Sequence, residues 1–189
     1  MSEGYYKTEA SVKEYIQLAK GVSGTQLIDK LKDYLPLNAS ILEIGSGPGT
    51  DWNILSKCYQ VVGSDYSNEF LNHLIEQNPS GQFIHLDAIT LNTDKRFDAI
   101  YSNKVMHHLT DGELTQSINR QHTILNSNGL ICHSFWRGKD SEVFKGLFVN
   151  YHEKENIEKF YQNSFDILFL DYYDEFDKDD SILLIAKKK

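Results

Sequence analysis

The sequence predicts an α/β fold: a doubly wound sheet of seven strands, mostly parallel and closed by a C-terminal antiparallel hairpin, with helices on both faces. Three observations predict it. Short apolar runs typical of buried strands alternate with amphipathic helical patterns over residues 41–161. A turn with three glycines, at 45–49, follows the first apolar run. Two strand-like runs, 165–172 and 182–186, come last without a helix between them, so they must pair antiparallel.

The first elements are two helices that precede the first strand. Apolar residues recur at helical spacing from Val12 to Ala19, after Ser11 as a candidate cap. A second helical pattern follows Thr25 and ends at Pro36. We expect these two helices, over 8–36, to cap the active site of a single domain that spans residues 1–189.

The alternating part of the chain follows. Its predicted strands cover 41–44, 59–63, 82–86, 97–102 and 130–135. Its predicted helices cover 50–57, 68–77, 111–125 and 153–161. Thr110 and Glu113 have capping-box spacing, which places the start of the third of these helices at Asp111. Asn128-Gly129 predicts a tight turn into the fifth strand.

The composition narrows the class of partner. Hydrophobic residues make up 40% and aromatic residues 12% of the chain, which favours a packed globular fold. The net charge of −8 disfavours a DNA-binding surface, because phosphate binding requires clustered Lys and Arg. No apolar run has membrane-spanning length, and the two cysteines lack metal-ligand spacing. We therefore expect a cytoplasmic protein without a metal site, whose partner is a small molecule or a protein.

The strongest local signal is the turn Gly45-Ser46-Gly47-Pro48-Gly49 after the first strand. Glycines allow the backbone to turn sharply and to approach a ligand where a side chain would collide. Parallel sheets bind ligands in the crevice beyond these strand ends. The spacing is GxGxG and differs from the GxGxxG of nicotinamide and flavin sites, which disfavours an oxidoreductase.

Two acidic residues end the next strands. Asp65 follows the second strand, where a carboxylate can accept both ribose hydroxyls of a nucleoside. Asp87 follows the third strand and can accept from an amino group on a base. A solvated turn or a helix cap explains either acid alone. The combination with the glycine turn favours a nucleoside site.

The order of these motifs resembles the class I S-adenosylmethionine-dependent methyltransferases over nearly the whole chain. The segments that carry the resemblance are ILEIGSGPGTD at 41–51, VVGSDYSNEFL at 61–71, FIHLDAITL at 83–91, FDAIYSNKVMHHL at 97–109 and NSNGLICHSF at 126–135. GLFVNYHEKENI at 146–157 is similar to small bacterial methyltransferases of the tellurite-resistance type. The resemblance implies a Rossmann-like methyltransferase fold with S-adenosylmethionine as cofactor. The (D/N)PP(Y/F) signature of nucleic-acid amino-methyltransferases is absent from the fourth segment.

The resemblance also implies roles for individual residues. Gly45, Ser46, Gly47 and Gly49 would approach the methionine part of the cofactor, and Glu43 would either lie near its ammonium or order the loop. Tyr15 would close over the amino-acid tail, with a position in the core as the alternative. Asp65 would bind the ribose, Tyr66 would cover one face of the adenine, and Asp87 with Ala88 would contact its edge. Asn103 would line the wall near the sulfonium.

The acceptor side offers fewer signals. His107 and His108 follow the fourth strand, and a neutral imidazole there could accept a proton from the acceptor. The alternative, which we favour, is that the pair has a structural role in the loop. Arg137, Phe148 and Tyr151 are candidate substrate contacts, with a solvated loop as the alternative. A cofactor-binding regulator without turnover also remains open at this point.

Overall fold

A computed structural model describes residues 8–189 of the chain. Its strands are β1 Ser40–Ile44, β2 Gln60–Asp65, β3 Gln82–His85, β4 Phe97–Ser102, β5 Leu125–Trp136, β6 Ser141–Phe144, β7 Leu147–Asn150, β8 Phe165–Tyr173 and β9 Ser181–Lys188. Its helices are α1 Glu9–Leu18, α2 Thr25–Leu31, α3 Thr50–Leu55, α4 Asn68–Gln77, α5 Asp111–Ile124 and α6 Lys154–Tyr161, with a 3-10 turn at Met106–His108.

Seven strands form the central sheet in the order β3-β2-β1-β4-β5-β9-β8. The first five run parallel, whereas β9 lies antiparallel to both β5 and β8. The predicted fold class and the closing hairpin are therefore confirmed. Because the strand order reverses between β1 and β4, a crevice opens at the carboxyl ends of these two strands, where such sheets bind ligands.

Apolar side chains from alternate positions of each strand fill two layers, one on each face of the sheet. In β1, Leu42 belongs to the layer that contains residues of α5 and α6, and Ile41 to the layer that contains residues of α2 and α3. This alternation is the period of two that a strand buried on both faces requires. Over residues 8–189, no helix is long and apolar enough to span a membrane.

The start of α1 differs from the sequence prediction. Thr8, and not Ser11, is the N-cap, and Ser11 lies at the third helical position. The two side chains form a reciprocal capping box, in which the Thr8 hydroxyl accepts from the Ser11 backbone N–H at 3.2 Å. Ser11 supports the cap from inside the helix, so the helix begins three residues before it is expected to. α2 is also shorter than predicted, because tighter turns replace it after Leu31.

The sequence does not predict the two-stranded sheet of β6 and β7, which stands apart from the main sheet. Phe144 pairs with Leu147, so only Lys145 and Gly146 form the connection. Both have positive φ, +49° and +79°, which matches the twist of a two-residue hairpin turn. Lys is rarely found in the left-handed conformation, which is why Lys-Gly gives a weaker turn signal than Asn-Gly.

A chain of buried polar groups crosses the core between β4, β5 and α5. His133, which has no exposed surface, bonds Ser102 Oγ through Nδ1 and Gln121 Oε1 through Nε2, both at 2.8 Å. Because the amide oxygen only accepts, the ring is the neutral tautomer with its proton on Nε2. Burial lowers the pKa of His133 to about 3.

Because His133 is buried in its neutral form, we expect the fold to lose stability in acid. Unfolded His133 gains a proton below about pH 6.5, whereas the folded protein resists protonation down to about pH 3. The contribution of neutral His133 to the free energy of unfolding is therefore complete above pH 6.5. Below that pH, the free energy of unfolding should fall by up to ~1.4 kcal/mol per pH unit. Urea unfolding at several pH values measures this slope. His133→Gln should reduce the slope between pH 6.5 and 5, and an unchanged slope would contradict the assignment.

Candidate functional site

Two adjoining cavities occupy the crevice at the carboxyl ends of the strands. The Tyr66 cavity, about 380 Å³ in volume, is lined by Ile44, Asp65, Tyr66, His85 and Ala88 together with other residues. The Trp136 cavity, about 370 Å³, extends from the glycine turn to Trp136 and Phe176. The residues common to both walls are Tyr15, Gly45, Gly47, Asn103, Lys104, His108 and Leu147. Each volume is within the usual range for a small-molecule site.

The glycine turn adopts the backbone conformation that its sequence predicts. Gly45, Gly47 and Gly49 have φ of +69°, +49° and +83°, a region that disfavours side chains. A Cβ at Gly45 would lie 2.5 Å from Val105 Cγ2, and one at Gly49 would lie 2.6 Å from Leu74 Cδ2. A Cβ at Gly47 would meet no atom closer than 4.0 Å. Gly47 therefore faces open space and can contact a ligand through its backbone.

Glu43 and Ser46 hold this turn against β2. Ser46 Oγ lies 2.6 Å from Glu43 Oε2 and also accepts from the Ser64 N–H at 3.1 Å. The Ser64 hydroxyl donates to the Glu43 carbonyl at 2.7 Å. Burial raises the pKa of the Glu43 carboxyl to about 8, and the charges of two nearby carboxylates also raise it. Glu43 is thus largely protonated at pH 7, unless a cation enters the adjoining cavity.

Asp65 connects the end of β2 to the glycine turn. Its two carboxylate oxygens accept from the backbone N–H groups of Gly47, at 3.0 Å, and Ser67, at 2.9 Å. Burial raises the pKa of Asp65, against the opposing effect of these hydrogen bonds. Each carboxylate oxygen has two lone pairs, so the group can still accept from ligand hydroxyls in the Tyr66 cavity.

The far wall of the Tyr66 cavity combines aromatic and apolar groups. Tyr66 is 44% exposed, and its ring lies 5.3 Å from the His85 ring. Ala88 is buried in the floor. Asp87 is not among the lining residues, and its Oδ1 accepts from the backbone N–H groups of Ile89 and Thr90. The structure thus places Tyr66 and Ala88 where a flat ring can bind, and Asp87 just behind them.

Asp51, at the start of α3, is a buried residue that sequence reasoning did not assign to the site. Its Oδ1 accepts from the Gly24 N–H at 2.7 Å. Its Oδ2 accepts from Tyr101 Oη at 2.7 Å and from Asn103 Nδ2 at 3.0 Å. Ser134 Oγ donates to Asn103 Oδ1 at 2.6 Å. The sequence offered one signal for this role, namely that Asp51 directly follows the glycine motif. An acid that is buried at that position requires hydrogen-bond donors around it.

The two adjacent histidines have different surroundings. His108 lines both cavities, and its Nδ1 lies 2.7 Å from the Phe148 carbonyl oxygen. His107 is 2% exposed, lines only the Trp136 cavity, and its Nδ1 has no hydrogen-bond partner among residues 8–189. Burial lowers the pKa of both rings, so both are neutral at pH 7.

Lys104 is a second residue that sequence reasoning missed. Its ammonium donates to the Phe135 carbonyl at 3.1 Å and to Ser181 Oγ at 2.5 Å. The same nitrogen lies 3.5 Å from the centroid of the Trp136 ring and 3.9 Å from Glu175 Oε2. Burial lowers the pKa of Lys104 to about 7. This cation fixes the Trp136 ring as a wall of the cavity.

The predicted substrate residues lie outside both cavity walls. Arg137 pairs with Glu153 at 3.2 Å, and its guanidinium lies 4.2 Å from the centroid of the Tyr172 ring. Tyr151 donates to Glu142 at 2.6 Å. Phe148 takes part only through the carbonyl that accepts from His108. The hairpin of β6 and β7 instead contributes other residues to the Trp136 cavity, namely Phe144, Lys145, Leu147 and Val149.

Comparison with protein families gives one match in this region. Residues 41–129 match the model of a family described as a methyltransferase domain. The match begins in β1 and ends in β5, so it includes the glycine turn, Asp65 and both histidines. No curated protein sequence matches the chain at a significant level.

Solved structures share the fold over nearly the full chain. A 1,6-didemethyltoxoflavin-N1-methyltransferase from Burkholderia thailandensis has a TM-score of 0.79 at 15% identity, covering 95% of this chain and 84% of that one. An S-adenosylmethionine-dependent methyltransferase from Clostridium acetobutylicum has a TM-score of 0.77 at 13% identity, covering 93% and 98%. A TehB-like methyltransferase from Corynebacterium glutamicum has a TM-score of 0.75 at 19% identity, covering 96% and 100%.

The glycine turn supports a prediction about stability. Gly45→Ala combines a positive φ with a contact to Val105, and should destabilise the fold by about 2–5 kcal/mol. Gly47→Ala is the matched control, because it has the same strain but no close contact, and should cost about 1–2 kcal/mol. Urea unfolding measures both. Equal losses for the two variants would contradict the packing of Gly45 against Val105.

Proposed function

We propose that this chain is a class I S-adenosylmethionine-dependent methyltransferase, which transfers the methyl group of S-adenosylmethionine to a small-molecule acceptor. The observation that carries the proposal is the joint position of Asp65 and Gly47. Their hydrogen bond brings a carboxylate and an open backbone turn to one end of the crevice. A nucleoside with a charged amino-acid tail requires both.

The residues around the crevice fit this cofactor. In the proposed arrangement, Asp65 accepts from the ribose hydroxyls, and the adenine lies between Tyr66 and the floor at Ala88. The ammonium of the amino-acid tail lies near Glu43 and Asp51, which line the Trp136 cavity. A cation there would favour the ionised form of Glu43. Tyr15, on α1, lines both cavities and covers the tail.

S-adenosylmethionine supplies an activated methyl group, because the carbon is bonded to a positively charged sulfur. The contribution of this chain is orientation and the exclusion of water. Asn103 and His108 lie where the two cavities meet, so they border the position between cofactor and acceptor. α1 and the hairpin of β6 and β7 close this region, and Lys145 connects them through a 3.1 Å ion pair with Glu14.

A small acceptor is supported by the size of the Trp136 cavity, about 370 Å³, part of which the tail of the cofactor would occupy. The Burkholderia enzyme with the same fold was solved with 1,6-didemethyltoxoflavin and S-adenosylhomocysteine bound. α1 and the hairpin of β6 and β7 limit access to the cavity. We propose that these two elements determine which acceptor enters.

Thermal unfolding with added ligands tests the proposed function. S-adenosylmethionine and S-adenosylhomocysteine should each raise the thermal midpoint, because a ligand that binds only the native state stabilises it. NAD, which contains the same adenosine but no amino-acid tail, is the matched control and should have little effect. A response to NAD with none to the two sulfur compounds would contradict the proposal.

Asp65→Ala should weaken the binding of S-adenosylhomocysteine by roughly 1.5–3 kcal/mol, because it removes charge-assisted acceptors for the ribose. It also frees the Gly47 N–H, so the unliganded turn should become more mobile. Isothermal titration calorimetry measures the affinity. Asp171→Ala removes an exposed acid of β8 far from the crevice and is the control. Equal affinities of the two variants would rule out the ribose assignment.

A further inference from the structure

The Trp136 cavity has a predominantly apolar wall beyond the residues proposed for the cofactor. Its apolar lining includes Leu18, Val22, Trp136, Phe144, Val149 and Phe176. Trp136 and Phe176 stack at 5.9 Å with an angle of 24° between their planes. Flat apolar walls of this kind bind ring-containing molecules.

The mouth of the same cavity exposes large apolar side chains from three separate elements. Leu18 of α1 is 63% exposed, Phe144 of the hairpin is 59% exposed, and Phe176 of the turn before β9 is 67% exposed. All three line the cavity. An apolar cluster around an opening is typical of a binding surface. Exposure of large apolar side chains to water is unfavourable, and a bound ligand that covers them removes this cost.

The charged groups that line this cavity already have partners within the protein. Glu175 accepts from Tyr173 Oη at 2.8 Å. Lys104 is held by the Phe135 carbonyl and Ser181, and Lys145 pairs with Glu14. Because both lysines of the lining already face an acidic partner, Glu175 for Lys104 and Glu14 for Lys145, an anionic group on the acceptor would find no unpaired cation there. The cavity therefore favours an uncharged acceptor.

His108, which lines both cavities, has one ring nitrogen that can accept a proton. A carbonyl oxygen only accepts, so the contact with Phe148 requires a proton on Nδ1 of His108. In the neutral ring, Nε2 then carries a lone pair. The lowered pKa, caused by burial, keeps the ring neutral at pH 7. His107 lines only the Trp136 cavity, and no group among residues 8–189 bonds its Nδ1.

We propose that the acceptor is an uncharged molecule with an apolar ring system and a hydroxyl group, and that His108 Nε2 removes the hydroxyl proton. This inference rests on the proposed function. The acceptor oxygen forms its bond to the methyl carbon while the carbon–sulfur bond breaks and its electron pair stays on sulfur. The hydroxyl proton passes to His108, and from there to solvent. The ring system lies against the stacked pair of Trp136 and Phe176 and the other apolar side chains of the wall.

A matched series of naphthalenes tests the acceptor class. The probes are 2-naphthol, 2-methoxynaphthalene and 6-hydroxy-2-naphthoate, added to protein saturated with S-adenosylhomocysteine. Calorimetry should show binding of 2-naphthol and of its ether, with the charged naphthoate at least about tenfold weaker, since an extra unpaired charge costs more than 1.4 kcal/mol. Equal affinity for the naphthoate, or no binding of 2-naphthol at millimolar concentration, would overturn the proposal.

Two substitutions of His108 separate its role as a base from its contact with the hairpin. Asn can still donate to the Phe148 carbonyl from the position of Nδ1 but has no atom at Nε2. Gln has a polar atom near Nε2 but loses the contact with Phe148. His108→Asn should lower kcat for 2-naphthol by about two to four decades and remove the acidic limb of its pH profile. His108→Gln should also raise KM, because the hairpin loses one of the contacts that hold it beside the cavity.

The outcomes distinguish this inference from the proposed function. If S-adenosylhomocysteine fails to bind, the proposed function is wrong. If it binds to wild type and to both variants with similar affinity, yet His108→Asn keeps kcat within about threefold, His108 is not the base. Binding of 2-naphthol without formation of S-adenosylhomocysteine from S-adenosylmethionine would likewise exclude this acceptor chemistry.

Discussion

The buried carboxylate of Asp51 receives three hydrogen bonds from two parts of the chain that are distant from it in sequence. The donors are the Gly24 N–H before α2, Tyr101 within β4, and Asn103 just after β4. Without this acceptor, the buried donors would remain unsatisfied, at a cost of about 1–3 kcal/mol each. Through Asn103 and Ser134 the network continues to β5. One side chain therefore fixes the start of α2, the start of α3 after the glycine turn, and the end of β4 relative to each other.

The two cavities are built in different ways. The Tyr66 cavity is formed largely by strand ends and the turns after them, and their positions follow from the parallel register of β1, β2 and β3. The Trp136 cavity depends instead on α1, the β6–β7 hairpin and the turn before β9. An ion pair between the side chains of Lys145 and Glu14 connects the first two of these elements. Substitutions in these three elements can reshape the acceptor cavity without disturbing the sheet.

The sequence predicted the sheet and the conformation of the glycine turn well, for a physical reason. Strand and helix periodicity depends on nearest neighbours in the sequence, and a glycine turn requires positive φ wherever it occurs. The partners of buried polar groups depend on residues far apart in the chain. Asp51 and Tyr101 are 50 positions apart, and no local pattern links them. The hairpin around Lys145 was missed because its turn residue is unusual in the left-handed conformation.

A structure of the protein with S-adenosylhomocysteine bound tests the central claim most directly. The account predicts the adenine between Tyr66 and Ala88, the ribose hydroxyls on Asp65, and the sulfur near Asn103 and His108. A ligand bound in another part of the molecule, or one in the crevice with its adenine against Trp136, would contradict the assignment of the two cavities.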